Sequence, residues 1–337
     1  MTLFSVFIIV LCVPSLIVLG FSSKETDLEI SPKIPTQEVV PPESLKSNPD
    51  DEVTVSVYRM DEKEIERVEI EEYVLGVVSS EMPINFELEA LKAQAVAART
   101  YTVRNLLHPD TSKLPQGADV TDSTLHQVYN NTSELKERWG NKYEENINKL
   151  KQAVSDTEGM IITYQGEPID ASFFSTSNGF TENSEDYWSA SIPYLRSVPS
   201  PWDKNSPYFL DNKTFPLDEI ETKLGVEISK SGKIADINRT PSQRVSSIKI
   251  NDKVIKGMDV REALGLKSTD FNFERKGNNI YITTKGSGHG VGMSQYGANG
   301  MAEEGKNYKD ILEHYYKDIA IDNINSNQDI KQGIAKK

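Results

Sequence analysis

Cysteine is almost absent from this chain of 337 residues, in which Cys12 is the only one. A single cysteine excludes a disulfide within the chain and any metal site built from several thiolates. Cys12 follows Val10 and Leu11 inside an apolar run, where a lipid-modified cysteine would need small neighbours. We therefore interpret Cys12 as a residue in the core of a membrane.

Basic residues are also scarce, since 37 lysines and arginines stand against 51 acidic residues and give a net charge of −14. This balance excludes a protein that binds nucleic acid through a broad basic surface. Any anion site has to be local, so clustered lysine and arginine residues are informative. Hydrophobic residues make up 37% and charged residues 26% of the chain, which is typical of a folded globular protein.

Residues 1–21 form an apolar run that, at about 1.5 Å per residue, is long enough to cross a bilayer as a helix. A cleaved signal peptide is the alternative, but the run has no basic start and no good cleavage site near Phe21. We predict an uncleaved, single-pass membrane anchor. Residues 22–51 contain five prolines and no periodicity, which predicts a flexible linker.

The remaining residues mix helical and strand patterns, which indicates a mixed α/β (α+β) fold. β-Branched residues alternate over 53–58, as in a strand, and 68–80 has apolar residues at helical spacing. Pro83 should end that helix near Glu81, because the residue before a proline avoids helical angles. Alanine dominates 87–107, which is predicted to be a long helix.

Further elements are predicted from the same patterns. They are a polar helix around 133–155, a strand pair at 160–164 and 171–174, an amphipathic helix near 259–264, helices at 294–304 and 308–316, and a flexible tail at 323–337. Together they predict a folded region over 52–322 with two lobes and a central cleft, in which 192–285 is the smaller lobe.

Three short polar segments stand out. Residues 288–298 (GHGVGMSQYGA) place polar side chains among glycines, which let a loop turn tightly and present them. Residues 175–186 (STSNGFTENSED) form a second polar loop, and 80–83 (SEMP) precede the alanine-rich helix. In this order, the segments resemble stage II sporulation protein D and its relatives, cell-wall lytic transglycosylases of sporulating bacteria. The resemblance covers about residues 53–316 and makes 52–322 the expected catalytic region.

Glu81 is the predicted general acid. It lies in the last turn of a predicted helix, where the helix dipole disfavours another negative charge. This position, together with partial burial beside Val77, Val78 and Met82, should raise its pKa. The sequence alone favours an ordinary surface glutamate before a proline. The resemblance reverses that preference, because the glutamate of this motif is the family's catalytic residue.

Substrate binding is predicted for residues of the same three segments. Lys92 and Arg99 share one face of the alanine-rich helix, either as a clamp for substrate anions or as an ordinary solvated face. The loop residues offer hydroxyl, amide and aromatic groups that suit sugars. The full predicted set is Lys92, Arg99, Ser175, Ser177, Asn178, Glu182, Ser184, Trp188, Tyr194, His289, Gln295 and Tyr296.

No metal or other cofactor is predicted. The resemblance implies that some relatives bind a metal through a cysteine and nearby histidines in the segment that matches residues 117–129. Thr121 stands where that cysteine is expected. His126 without a thiolate does not make a tetrahedral site.

The resemblance implies cleavage of MurNAc–GlcNAc bonds in peptide-stripped glycan strands of peptidoglycan during sporulation engulfment. Glu81 would act first as acid and then as base, with the C6 hydroxyl as nucleophile, and would leave 1,6-anhydro-MurNAc ends. Two alternatives stay open: a non-catalytic wall-binding amidase enhancer, and a muramidase that pairs Glu81 with Glu182 or Glu185.

The resemblance also implies partners and a location. The expected partners are glycan strands, a sporulation amidase or endopeptidase, the membrane scaffold of the engulfment machinery and the membrane itself, with no nucleic acid. The expected location is the mother-cell membrane at the septum, with the catalytic region on the extracytoplasmic side.

Overall fold

The structure of the protein, a computed structural model, describes residues 53–109, 114–115, 117–229 and 234–335. Helices and small sheets occur together along these residues, so the predicted mixed α/β fold is confirmed. The predicted membrane anchor (1–21) and the predicted linker (22–51) lie outside the described residues. Within the described ranges, no helix is both long and apolar enough to cross a membrane.

A three-stranded sheet begins the described part of the chain. Strand β1 (Thr54–Arg59) pairs antiparallel with β2 (Glu64–Glu69) and parallel with β3 (Val120–Thr121). The alternating burial of β1 follows its β-branched residues, because successive side chains point to opposite faces of a strand. The predicted strand at 53–58 is confirmed, with a shift of one residue.

Helix α1 spans Ile70–Glu81. Val68 was predicted to be helical, but it pairs with β1 in the sheet, so the helix begins two residues later than predicted. The helix ends near the predicted position. Met82 is extended, with φ −116° and ψ 142°, because Pro83 follows it. This ending leaves Glu81 as the last residue of α1.

Helix α2 (Leu88–Leu107) confirms the predicted alanine-rich helix. Small side chains let neighbouring elements approach its backbone from several directions, and buried residues occur along its whole length. Its fully buried alanines are Ala90, Ala93, Ala95, Ala97 and Ala98.

Two helices, α3 (Thr132–Trp139) and α4 (Tyr143–Ser155), follow where one polar helix was predicted over 133–155. The break falls at Gly140, whose φ of +50° is outside the helical region and is tolerated by glycine. One 3₁₀ turn, Gly140–Lys142, connects the two helices.

The rest of the described chain alternates short strands with short helices. In chain order they are β4 (Met160–Tyr164), β5 (Glu167–Pro168), β6 (Phe173–Phe174), α5 (Ser184–Trp188), β7 (Leu210–Pro216), α6 (Leu217–Leu224), β8 (Asp236–Arg239), β9 (Val245–Ile250), β10 (Lys253–Lys256), α7 (Gly257–Leu264), β11 (Asp270–Lys276), β12 (Asn279–Lys285), β13 (Met293–Ser294), α8 (Gln295–Glu303), α9 (Tyr308–Tyr315), β14 (Ala320–Asn323) and α10 (Gln328–Ala335). Helices α7, α8 and α9 confirm three predicted helices, with ends shifted by one or two residues.

The predicted pairing of 160–164 with 171–174 is wrong. Strand β4 pairs with β5 and with the distant β14, whereas β6 lies parallel to β13. Residues 323–335 also differ from the flexible tail that we predicted. They contain α10, which packs against α2 through its apolar side and buries Ile330.

Buried apolar side chains form two separate clusters. The larger surrounds α2 and includes residues from β1, α1, α4, β4, α8 and α9. The smaller lies among α6, α7, β9, β11 and β12. It falls inside the 192–285 segment for which we predicted a smaller lobe, and the lobe boundary itself stays a prediction.

Arg99 lies in α2 with no exposed surface. Its Nε and Nη2 atoms donate to the Glu71 carboxylate of α1 at 2.8 and 2.5 Å, and Nη1 donates to the Met160 carbonyl at 3.0 Å. A buried charge is tolerated only when it is paired and hydrogen-bonded, so this ion pair fixes α1 and β4 to α2. The prediction that Arg99 faces a substrate is corrected accordingly.

We predict that Arg99→Met strongly destabilises the protein, because it leaves the half-buried Glu71 carboxylate without its cation. The expected loss in the free energy of unfolding is about 3–5 kcal/mol. It can be measured by denaturant unfolding of the full-length chain in mild detergent.

Lys92→Met is the matched control on the same helix. Lys92 pairs with the more exposed Glu89 and Asp156, and the expected loss is at most about 1 kcal/mol. Equal losses would contradict the structural role of Arg99.

Candidate functional site

A cavity of about 410 Å³ opens at the C-terminal end of α1. Residues 79–84 form one wall, and the opposite side comes from distant parts of the chain. The other lining residues are Arg138, Trp139, Ser175, Tyr208, Gln295 and Tyr296. We call this the first cavity. It brings together four residues predicted from the sequence, which are Glu81, Ser175, Gln295 and Tyr296.

Glu81 is half-buried in the first cavity. Its Oε1 accepts a hydrogen bond from the Val128 backbone N–H at 3.1 Å, and the Gln295 side chain donates a second. Burial raises the pKa of the Glu81 carboxyl above its usual value, while these two hydrogen bonds partly oppose the rise. The sequence predicted this direction, and burial is its main cause. A raised pKa favours the protonated form that a general acid needs.

The close packing of α1 explains why the Val128 N–H reaches Glu81. Gly76 has no side chain, and a Cβ there would lie 2.4 Å from the Tyr129 ring and 2.5 Å from the Asn130 carbonyl. The Asn130 side chain also donates to the Ser80 hydroxyl at 2.5 Å. The 128–130 backbone is thus held against the helix that carries the acid.

Gln295 is the first residue of α8, and Ser294 caps that helix by accepting the Gly297 N–H. The Gln295 amide also lies 3.5 Å from the side-chain oxygen of Gln94, a fully buried residue of α2. Glu81, Gln295 and Gln94 therefore form a polar path from the cavity into the core. The buried position of Gln94 indicates that this path orients Gln295.

Aromatic rings form part of the cavity wall. Tyr296 packs edge-on against Phe86 at 4.9 Å and against Tyr208 at 5.8 Å, measured between ring centroids. Tyr208 and Trp139 were not predicted from the sequence. Trp139 is the last residue of α3, and the following Gly140 marks that helix end in the sequence. Tyr208 stands in an irregular segment and gave no signal.

Other predicted residues serve the scaffold instead. Ser177 is buried and donates to the Asp203 carboxylate at 2.7 Å. Ser200 and Ser294 also donate to Asp203, each at 2.5 Å. Burial raises the pKa of Asp203, and these hydrogen bonds oppose the rise. Asp203 thus ties the 175–186 loop to the start of α8, a role that the sequence did not reveal.

Three more predicted residues have internal partners. The Asn178 amide donates to the Ser242 carbonyl at 2.8 Å and to Asp270 at 2.9 Å. The Ser184 hydroxyl accepts the Ile192 N–H at 2.8 Å. The Tyr194 hydroxyl accepts the Asp170 N–H at 3.0 Å, and its ring is buried, so it cannot stack on a sugar as we predicted.

His289 is also held within the protein. Its Nε2 lies 2.9 Å from the Phe173 carbonyl and its Nδ1 accepts the Val291 N–H at 3.1 Å, which defines a neutral ring with the proton on Nε2. Burial lowers the pKa of His289 to about 4. Its ring packs against Trp188 at 5.6 Å. His289 is absent from the lining of the first cavity, and so is Lys92, whose ammonium group is paired with Glu89 and Asp156.

Glu182 and Trp188 line a different cavity, also of about 410 Å³, which shares no lining residue with the first. We call it the second cavity. Glu185 lines neither cavity and pairs with Arg196 at 2.5 Å. Hydrogen bonds from Arg196 lower the pKa of Glu185 to about 2. Neither glutamate is therefore placed beside Glu81 as a second carboxylate.

Comparison with known proteins shows the family of this chain. A model of the Stage II sporulation protein family matches residues 58–164, which include Glu81 and all of α2. Stage II sporulation protein D of Bacillus amyloliquefaciens is 47% identical over 326 residues, or 95% of this chain and 94% of that protein. The chain belongs to the stage II sporulation protein D family. Proteins of this family take part in sporulation.

Two further relatives are similar to this chain. Stage II sporulation protein D of Bacillus subtilis (strain 168) is 47% identical over 319 residues, or 93% of this chain and 92% of that protein. An amidase enhancer of the same strain is 29% identical over 296 residues, which are 72% of this chain but 39% of that protein.

The segment that matches the metal-binding region expected in some family members contains His126. Its Nδ1 lies 3.2 Å from the Thr121 N–H and 3.1 Å from the Thr121 hydroxyl. Among the residues that the structure describes, no group of three or more histidine, cysteine, aspartate or glutamate side chains could hold a metal ion. The expectation that the protein needs no metal stays a prediction.

The raised pKa of Glu81 predicts a specific pH dependence of stability. Above the ordinary carboxyl pKa, the unfolded chain releases this proton before the folded chain does, so folding loses stability as the pH rises through the folded pKa. Glu81→Gln removes this loss. We expect the melting temperature of the variant, relative to the parent, to be higher at pH 7 than at pH 4.

Glu185→Gln provides a control of opposite sign. The lowered pKa of Glu185 stabilises the folded parent at pH values above the ordinary carboxyl pKa. This contribution disappears as the pH falls through the folded pKa of about 2. The variant should therefore melt slightly below the parent at pH 7, by a margin that shrinks in acid. A Glu81→Gln profile parallel to that of Glu185→Gln would refute the raised pKa.

Proposed function

We propose that this chain is a peptidoglycan lytic transglycosylase in which Glu81 is both general acid and general base. One observation carries the proposal: among the described residues that line the first cavity, Glu81 alone has a carboxyl group. A muramidase that works with two carboxylates needs them about 5–10 Å apart. A transglycosylase needs one, because the C6 hydroxyl of the sugar replaces water as the nucleophile.

The reaction begins with a proton on Glu81, which its raised pKa favours. The carboxyl group gives this proton to the bridging oxygen as the MurNAc C1–O bond breaks. The resulting carboxylate accepts the proton of the C6 hydroxyl while that oxygen bonds to C1. The proton is thus returned to Glu81, no water is consumed, and the product is a 1,6-anhydro-MurNAc end.

The hydrogen-bond donors around Glu81 suit both halves of this cycle. The Val128 N–H keeps Oε1 in one place whether or not the group carries a proton. The Gln295 amide stabilises the carboxylate that forms in the first step. Catalysis by one group in two roles is favoured by a pKa closer to the working pH than that of an ordinary carboxyl group, and burial shifts the pKa of Glu81 in this direction.

The remaining wall of the first cavity suits a glycan. Trp139, Tyr208 and Tyr296 provide aromatic surface, and Ser175 provides a hydroxyl. A few polar groups in a partly aromatic cavity are typical of ligand-binding sites. Arg138 is the cation of this wall, and it also donates to the Ser79 carbonyl at 3.2 Å.

In the cell, we propose that the substrate is peptide-stripped glycan and that the reaction serves engulfment. A partner amidase or endopeptidase would prepare the strands, and a membrane scaffold would hold the protein at the septal membrane. Degradation of the cell wall is consistent with membership of a sporulation family. The second candidate function is non-catalytic enhancement of an amidase. It is favoured by the similarity to an amidase enhancer over 72% of the chain.

We expect Glu81→Gln to lower the rate of glycan cleavage by at least about 10²-fold, because glutamine keeps the shape and hydrogen bonds of glutamate but has no proton to transfer. The rate is measured with the full-length chain in detergent and peptide-stripped glycan strands. Glu185→Gln, a surface change outside both cavities, should cleave at the parental rate. Parental activity in Glu81→Gln together with a loss in Glu182→Gln would move the acid to the second cavity.

The product ends separate the candidate functions in one experiment. A transglycosylase should give anhydro ends without solvent oxygen, even in water labelled with ¹⁸O, and mass spectrometry detects both features. Labelled reducing ends would instead indicate a muramidase. Intact glycosidic bonds, combined with faster peptide removal by an added amidase, would indicate an amidase enhancer.

A further inference from the structure

Arg244 lines the second cavity, yet only 1% of its surface is exposed. Its Nε, Nη1 and Nη2 atoms are buried and have no hydrogen-bond partner among the described residues. A guanidinium group has five N–H donors in a planar fork. Leaving them all unsatisfied costs free energy that a structural arginine would normally avoid.

Glu182 and Asp270 are the carboxylates whose charge most affects Arg244, and both accept hydrogen bonds from other donors. Both oxygens of Glu182 are engaged, since Oε1 accepts the Asn183 N–H at 3.1 Å and Oε2 accepts the Thr240 hydroxyl at 2.8 Å. Asp270 likewise accepts from Arg239 at 3.1 Å and from Asn178 at 2.9 Å. Glu182 and Asp270 therefore attract the Arg244 charge without hydrogen-bonding to it, and its N–H donors stay unused within the described part of the chain.

Gly290 holds the guanidinium in position. A Cβ at residue 290 would lie 2.4 Å from the Cζ of Arg244 and 2.5 Å from its Nε and Nη2. The backbone of Gly290 also has a φ of +94° and its carbonyl accepts the Glu182 N–H at 2.7 Å. The cation is therefore enclosed on one side by a loop that permits no side chain there, which is a built feature of this cavity.

The lining of the second cavity also contains aromatic rings. Trp188 is 39% exposed and packs edge-on against Tyr187, with 5.5 Å between ring centroids. Lys256 adds an exposed cation to the lining. A planar cation at the inner wall and an indole ring nearer solvent suit a ligand that joins a carboxylate to a sugar ring, because guanidinium groups bind carboxylates with two parallel hydrogen bonds.

We propose that the second cavity is a binding site for a carboxylate-bearing sugar, in which Arg244 receives the carboxylate and Trp188 contacts the ring. The choice of sugar rests on the proposed function. In a glycan strand, the lactyl group of MurNAc carries a carboxylate, whereas GlcNAc has no carboxylate. The second cavity thus distinguishes the two alternating sugars and sets the register of the strand relative to Glu81.

Binding of free MurNAc, GlcNAc and D-lactate to the full-length chain in detergent tests this proposal by ligand-observed NMR titration. The Glu81→Gln variant serves as the parent, so the result does not depend on whether the protein cleaves glycan. We expect MurNAc to bind at least about tenfold more tightly than GlcNAc, as a charge-assisted hydrogen bond would give. D-Lactate should bind more weakly than MurNAc because it has no ring.

Arg244→Met should abolish the preference for MurNAc over GlcNAc. Because Arg244 is buried, thermal unfolding must show that this variant is folded. Trp188→Ala changes a partly exposed side chain and should weaken MurNAc and GlcNAc binding by similar factors of about ten. Tyr281→Ala, which removes an exposed aromatic side chain outside both cavities, is the matched control and should leave the binding of both sugars unchanged.

The assignment fails if MurNAc and GlcNAc bind equally to the parent, or if Trp188→Ala leaves MurNAc binding unchanged. If D-lactate binds as tightly as MurNAc, the sugar ring does not contribute to binding and the second cavity is a site for a carboxylate alone. If the unsubstituted chain does not cleave glycan but the preference for MurNAc is intact, only the proposed function is refuted.

Discussion

Burial of α2 on nearly all sides is the constraint on which the rest of the larger core depends. A helix can be surrounded in this way only if its side chains are small, and alanine meets this requirement at five positions of α2. The close neighbours include α1, β4, α8 and α9, which arrive from widely separated parts of the sequence. The buried Arg99–Glu71 ion pair then selects one arrangement of α1 on α2, because any other would leave two charges unpaired.

The first cavity follows from this packing. Helix α1 ends at Glu81, two residues before Pro83, and the Glu81 side chain meets that of Gln295 at the start of α8. Gln94 on α2 contacts Gln295 on α8, and Gln295 contacts Glu81. Glu81 is thus connected by neutral hydrogen-bonding groups to the buried helix α2. Burial raises the pKa of the Glu81 carboxyl and these neutral donors oppose the rise only in part, whereas an arginine that hydrogen-bonds to a carboxylate lowers its pKa, as Arg196 does for Glu185.

The sequence predicted the elements whose signals are local. The strand at β1, the end of α1 before Pro83 and the alanine-rich α2 all depend on neighbouring residues, and so does the raised pKa of Glu81. Pairings between distant strands were not predictable in this way. The apolar pattern of β4 fits many partners, and its pairing with β14 became visible only in the structure.

The predicted binding residues show the same limit. Helical spacing places Lys92 and Arg99 on one face but does not say what that face meets, and it meets Glu71, Glu89 and Asp156. Short polar residues in a loop are equally suited to a ligand and to a buried carboxylate. Ser177 and Ser294 satisfy Asp203, which lies outside both polar segments. Arg244 has no motif around it, and its importance lies in the partners that it does not have.

The donor that holds Glu81 is a backbone group, and this has an evolutionary consequence. Every residue except proline has an N–H, so nearly any amino acid at position 128 can supply the same hydrogen bond. The sequence there is free to drift while the acid keeps its geometry. The positions that must stay constant are those that shape the backbone around it, above all Gly76, where the Tyr129 ring leaves no room for a methyl group. Selection on catalysis would therefore act on a glycine that never touches the substrate.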